Sequence, residues 1–116
     1  RAQETLISDY ERLPFSFPPT YRRMDGNLVA NSASINGHLL SSVVSPNCHL
    51  GEDSNVRDSL LMEGCTIGDQ TTISGTILGR NVMVPSGATI VDCVIGDGVQ
   101  LESASFYSNQ LISLHD

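Results

Sequence analysis

Branched aliphatic residues recur along this chain in steps of five, six and six: Leu39, Val44, Leu50, Val56, Leu61, Ile67, Ile73, Leu78, Val84, Ile90, Ile95 and Leu101. Three steps close a period of seventeen residues, so the pairs Val43-Val44, Leu60-Leu61, Ile77-Leu78 and Val94-Ile95 fall seventeen apart. A fixed period inside a short chain signals stacked repeats. Residues i and i−2 of a strand face the same side, so the position two before each aliphatic tests the pattern. Gly37, Ser42, Cys48, Ser54, Ser59, Cys65, Thr71, Thr76, Val82, Ala88, Cys93 and Val99 stand there, and none is large. Each strand thus offers one branched and one small side chain to a narrow axis, with three strands to a lap.

This is the hexapeptide pattern of an all-β, triangular parallel β-helix. Repeats of this class wind left-handed, against the usual right-handed rule for parallel crossovers. The ladder predicts about four coils, at 39–55, 56–72, 73–89 and 90–106, within a solenoid domain over 28–106 whose first turn, 28–38, is irregular. Gly51, Gly68, Gly79 and Gly96 follow rungs, and Asp53, Asp69, Asn81 and Asp97 lie at the bends. Gly, Asn and Asp tolerate the dihedrals that bends require.

Residues 1–27 carry no ladder and read as a linker, kept extended or turned by Pro14, Pro18 and Pro19. An opening at Arg1 with no initiator Met suits a piece of a longer protein. Residues 107–116 read as a tail. The open end of a solenoid exposes a strand edge and a slice of core, and Phe106, Tyr107, Leu111 and Leu114 are the expected caps.

The residue one before each rung points outward. At two edges these are mostly polar: His49, Asn55, Thr66, Thr72, Thr89 and Gln100, with Met83 the exception. At the third edge they are Val43, Leu60, Ile77 and Val94, joined by Met62 on the neighbouring outward row. An apolar stripe on an acidic protein marks a contact. Two occupants fit: Leu13, Phe15, Phe17 and Tyr21 or the tail folding back, or a partner subunit such as another β-helix, including self-association.

Composition narrows the function. The chain has 116 residues, a formal charge of −7 and only six basic residues. Nucleic-acid affinity needs clustered Lys and Arg, so no direct nucleic-acid contact is expected. No apolar run approaches the roughly 20 residues of a membrane span, which leaves the cytoplasm as the expected compartment. The three cysteines all fall in the small inward column, where they act as core fillers; no CxxC or paired-His spacing points to a metal. Acyltransferases built on such repeats need a His base beside a loop thrown out between coils. Here the coils never lengthen from Leu39 to Leu101, and His38, His49 and His115 read as solvated. Glu52-Asp53 reads as a solvated corner and Gly96-Asp97-Gly98 as a turn. No catalytic residue, cofactor or metal is expected.

The segments Asp58 to Gly68, Gly75 to Val82, Asp92 to Gly98 and Asn109-Gln110-Leu111 together resemble the C-terminal β-helix of the gamma subunit of eukaryotic translation initiation factor 2B. The resemblance spans about residues 39–116, and Asp92 to Gly98 and the tail are its most specific parts. It implies a non-catalytic assembly and regulatory domain that pairs with the epsilon subunit and the other factor 2B subunits. The complex it serves exchanges guanine nucleotide on initiation factor 2. The alternative is the C-terminal β-helix of an ADP-glucose pyrophosphorylase or related sugar-phosphate nucleotidyltransferase, setting oligomer state and allosteric response. An acyltransferase fragment is a third reading.

Overall fold

The computed structural model describes residues 21–102 and 106–113, so Leu13, Phe15, Phe17, Leu114 and His115 lie outside the described residues. Within them the chain winds as a parallel β-solenoid of about five coils with no helix. A hairpin strand, β1 (Tyr21–Met24), precedes the first coil, which holds β2 (Asn27–Ala30), β3 (Ser34–Ile35) and β4 (His38–Leu40). The second holds β5 (Val43–Val44), β6 (His49–Leu50) and β7 (Asn55–Arg57), and the third β8 (Leu60–Leu61), β9 (Thr66–Ile67) and β10 (Thr72–Ser74). The fourth holds β11 (Ile77–Leu78), β12 (Met83–Val84) and β13 (Thr89–Val91). The fifth holds β14 (Val94–Ile95), a single bridge from Gln100 to Met83, and β15 (Phe106–Ser108), after which β16 (Leu111–Ile112) starts another lap.

Stacking gathers these strands into three walls. Wall A runs β1-β2-β5-β8-β11-β14-β16, wall B runs β3-β6-β9-β12, and wall C runs β4-β7-β10-β13-β15. The rungs from Val44 to Ile95 are buried and form one continuous core with the small inward column. Ala88 is fully buried on the axis. We expect Ala88→Leu to cost about 1–3 kcal/mol by overpacking, read as a lower urea midpoint at unchanged slope.

The first coil differs from the irregular turn that the sequence predicts. Val29 pairs with Val44 and Ile35 with Leu50, so both take rung places one lap earlier than the ladder suggests. Their partners lie fifteen residues on, whereas His38 and Asn55 are seventeen apart. The two missing residues come out of one corner, between Ile35 and Leu39. Gly37 makes this short cut possible: a Cβ there would meet Ser54 Oγ, and would lie 2.6 Å from Ser54 O and 2.9 Å from Gly51 O. The strict period is lost at that corner while the coil itself persists.

Residues 21–27 are not a linker. β1 pairs antiparallel with β2, from Tyr21 opposite Ala30 to Met24 opposite Asn27. Asp25 and Gly26, with φ of 50° and 84°, make the two-residue turn; Asp-Gly is a favoured pair there because both positions need positive φ. Met24 packs against the core and Arg22 Nη1 donates to Ala30 O at 2.9 Å, so β1 covers the wall A edge at the start of the tube.

At the far end the stack continues past residue 106. Tyr107 lies beside Ile90 and Ile112 beside Ile95, both half-buried against the core. Of the expected caps, only Tyr107 among the described residues turns inward. Phe106 and Leu111 occupy outward positions and are 69% and 78% exposed.

The small inward column proves to be more than filler where walls C and A meet. Buried Ser42 N donates to Asn27 Oδ1 at 2.7 Å, Ser59 N to Ser42 Oγ at 3.3 Å, Thr76 N to Ser59 Oγ at 3.1 Å, and Cys93 N to Thr76 Oγ1 at 3.3 Å. The hydroxyls donate in turn to Leu40 O, Arg57 O and Ser74 O of their own coils. Buried amides left unpaired are costly, and this ladder pairs them through a corner. Ser59→Ala removes the acceptor for Thr76 N, and we expect a loss of about 1–3 kcal/mol in denaturant unfolding with the β-sheet spectrum unchanged.

Candidate interaction face

Register places one outward residue per coil on wall A directly over the next. Leu28 pairs with Val43, Val43 with Leu60, Leu60 with Ile77, Ile77 with Val94, and Val94 with Leu111. Neighbouring strands stand about 4.8 Å apart, so six aliphatic side chains make one column. Four of them are those that the sequence singles out. Leu111 lies one further seventeen-residue step along the same series, which assigns it to this column rather than to the end of the tube. Leu28 is hidden from the period by the two residues missing at the first corner.

The column is not uniformly open. Leu28 and Val43 are only 3% and 6% exposed and cluster with Tyr21 and Leu60. From there exposure rises to 39% at Ile77, 45% at Val94 and 78% at Leu111. Tyr21 therefore meets the upper end, as the folding-back reading expects of it, while the lower half faces solvent. Met62 is half-buried on the adjoining row of the third coil.

The other walls carry mostly polar outward residues, with Leu40 and Phe106 on wall C and Met83 on wall B as exposed apolar exceptions. Wall C stacks His38, Asn55, Thr72, Thr89 and Phe106, and wall B stacks Ser34, His49, Thr66, Met83 and Gln100. His38 and His49 are both exposed and stand on different walls. A shallow groove of about 350 Å³ crosses wall C over His38, Leu40, Asn55, Arg57 and Thr72. Among the described residues, no group of His, Cys, Asp and Glu is placed to hold a metal ion, and no helix is long and apolar enough to cross a membrane.

The cysteines are free and buried. Cys48 Sγ donates to Met62 O at 3.1 Å and Cys65 Sγ to Gly79 O at 3.0 Å. The neighbouring Cys48 thiol, and burial after it, push Cys65 above the ordinary thiol range. The same contact acts the other way on Cys48, where the hydrogen bond from Cys65 pulls the thiol down to about 7.

The bends show a division of labour that the sequence does not separate. Asp53 and Asn81 do take positive φ, of 59° and 57°. At the corners of Asp69 and Asp97, Gln70 and Gly98 take it instead. Asp69 Oδ1 accepts from Glu52 N at 2.9 Å and Asp97 Oδ1 from Arg80 N at 2.8 Å, so these carboxylates tie one coil to the coil before.

Comparison with known proteins follows the geometry. No curated protein matches the chain. Residues 25–116 match the GMPPB C-terminal domain, a left-handed β-helix found at the C-terminus of sugar nucleotidyltransferases. The match begins at the hairpin turn and runs through every coil described above. The chain therefore belongs to the GMPPB C-terminal domain family.

Proposed function

We propose that this chain is a non-catalytic assembly domain, attached to a nucleotidyltransferase-type protein and docking through wall A. The observation that carries the reading is the open half of the apolar column, Ile77, Val94 and Leu111, on the outside of a solenoid whose core is already complete. Aliphatic side chains in register over three coils lose water contact on association, at about 25 cal/mol per Å² buried. A rigid wall presents them without an ordering cost.

Two assignments lie within this reading. A subunit role in a sugar-phosphate nucleotidyltransferase of the ADP-glucose pyrophosphorylase kind is supported by the family match over residues 25–116. A role in the gamma subunit of translation initiation factor 2B, pairing with epsilon to support exchange on initiation factor 2, is supported by the likeness of Asp92 to Gly98 and of the tail. The first has the wider support, because it rests on the whole solenoid. Under either assignment we propose protein partners and a cytoplasmic location.

Binding assays with purified epsilon subunit and, separately, with a purified ADP-glucose pyrophosphorylase distinguish the two. We expect one of them to bind the 116-residue chain, and binding to be lost in Ile77→Asp/Val94→Asp with the β-sheet circular dichroism retained. Failure of both to bind a folded chain, or binding that survives the double substitution, overturns the docking role of wall A.

A further inference from the structure

Two of the three buried thiols are neighbours. The register of wall B stacks Ser34, His49, Thr66, Met83 and Gln100, so the residues just before them, Ala33, Cys48, Cys65, Val82 and Val99, form one inward column at the corner where walls A and B meet. Cys48 and Cys65 occupy adjacent laps of it. Strands of adjacent laps stand about 4.8 Å apart, inside the roughly 4.4–6.8 Å between Cα atoms that a disulfide spans. Cys93 stands at a different corner, between walls C and A, where its sulfur donates to Val91 O at 3.3 Å and its amide to Thr76 Oγ1.

The two sulfurs are also electronically unequal. The thiol of Cys65 hydrogen-bonds Cys48, and the amides of Cys65, Gly64 and Ser45 add to that, so Cys48 is favoured as the thiolate while the proton stays on Cys65. A thiolate beside a second thiol is the arrangement of a nucleophile and its resolving partner. Cys48 is the outer of the two, 3% exposed against 0% for Cys65. The corner before it holds half-buried Ser45 and Pro46 and exposed Asn47, and local opening of such a short segment is the way in.

We propose that Cys48 and Cys65 form a reversible disulfide by exchange with a small-molecule disulfide of the glutathione class, tying the second coil to the third. The Cys48 thiolate attacks one sulfur of the small disulfide, which forms a mixed disulfide and releases one small thiolate. Cys65 Sγ then attacks Cys48 Sγ and displaces the second small thiolate, which takes up the Cys65 proton. Two protein thiols are oxidised and one small disulfide is reduced to two thiols. Side chains on adjacent laps run side by side at about the 4.8 Å strand spacing, against roughly 3.5–4.5 Å between the Cβ atoms of a relaxed disulfide. Closing the bond draws the coils together, which makes it the easily reduced, regulatory kind rather than a permanent staple. The pair acts independently of the docking role of wall A.

The test exposes the 116-residue chain, both native and during refolding from urea, to graded mixtures of oxidised and reduced glutathione. Remaining thiols are then blocked with N-ethylmaleimide in denaturant, and the product is weighed and mapped. We expect a single maleimide, on Cys93, with the Cys48 and Cys65 peptides joined, and all three thiols restored by excess reduced glutathione. The oxidised chain should unfold at a higher urea midpoint than the reduced one. Cys65→Val, which repeats the residue of the next lap, and Cys48→Ser, a residue that the inward column uses elsewhere, should fold and form no internal disulfide. Three maleimides per chain at every ratio, native and refolded, overturn the proposal. So does glutathione retained on Cys48 of the unsubstituted chain, or a bond to Cys93 in place of the pair.

Discussion

Leu78→Asp should prevent folding, whereas Ile77→Asp, one residue earlier in the same two-residue strand, should leave the solenoid intact. Leu78 is fully buried between Leu61 and Ile95 on the axis, and a carboxylate there has no charged or hydrogen-bonding partner. Burying it unpaired should cost at least about 4 kcal/mol, a large share of the stability of a domain this size. Ile77 points the other way, with Leu60 and Val94 beside it, and its replacement should change stability by less than about 1 kcal/mol. Far-ultraviolet circular dichroism and urea unfolding of the two variants measure the contrast. Similar effects in both would mean that the two faces of wall A are assigned the wrong way round.

Gly79→Ala should cost about 3 kcal/mol, and Gly96→Ala at the equivalent corner of the next coil much less. A Cβ on Gly79 would lie 2.5 Å from Asp97 Oδ1, 2.7 Å from Asp97 N and 2.8 Å from Gly96 C, and the last two are backbone atoms that cannot swing aside. On Gly96 the nearest atom would be Ser113 Cβ at 3.3 Å, a contact that small adjustments relieve. Neither glycine has a positive φ, so the dihedral freedom expected of them from sequence is not what holds them in place. Gly79 is required because the next coil passes directly over it. Differential scanning calorimetry on the pair reads the difference, and equal melting temperatures would remove close coil packing as the reason.

The spacing rule made most of this architecture legible. Rungs, small inward partners and the outward column from Val43 to Val94 all follow from alternation along very short strands, and the three walls add only which strand neighbours which. Two places escaped it. At Ile35 to Leu39 the corner is cut short, so a search for a fixed period halts although the coil continues. At Leu111 the series continues, but an open solenoid end also calls for a cap, and only the pairing of Leu111 with Val94 decides between the two. The hairpin at Asp25-Gly26 was readable from its turn pair alone, and the prolines before it obscured the signal.

Side-chain periodicity by itself determined the solenoid, its inward and outward faces and its greasy edge, because burial on a narrow axis admits so few residue types at each step. Tertiary structure decided what lies one coil away. Seventeen residues separate Asp97 from Arg80, Ser59 from Thr76 and Gly79 from Gly96, so no local pattern reveals that a carboxylate ties, a hydroxyl pairs or a missing Cβ makes way. The same holds for the upper end of wall A, where Leu28 and Val43 are buried in a cluster with Tyr21 and Leu60.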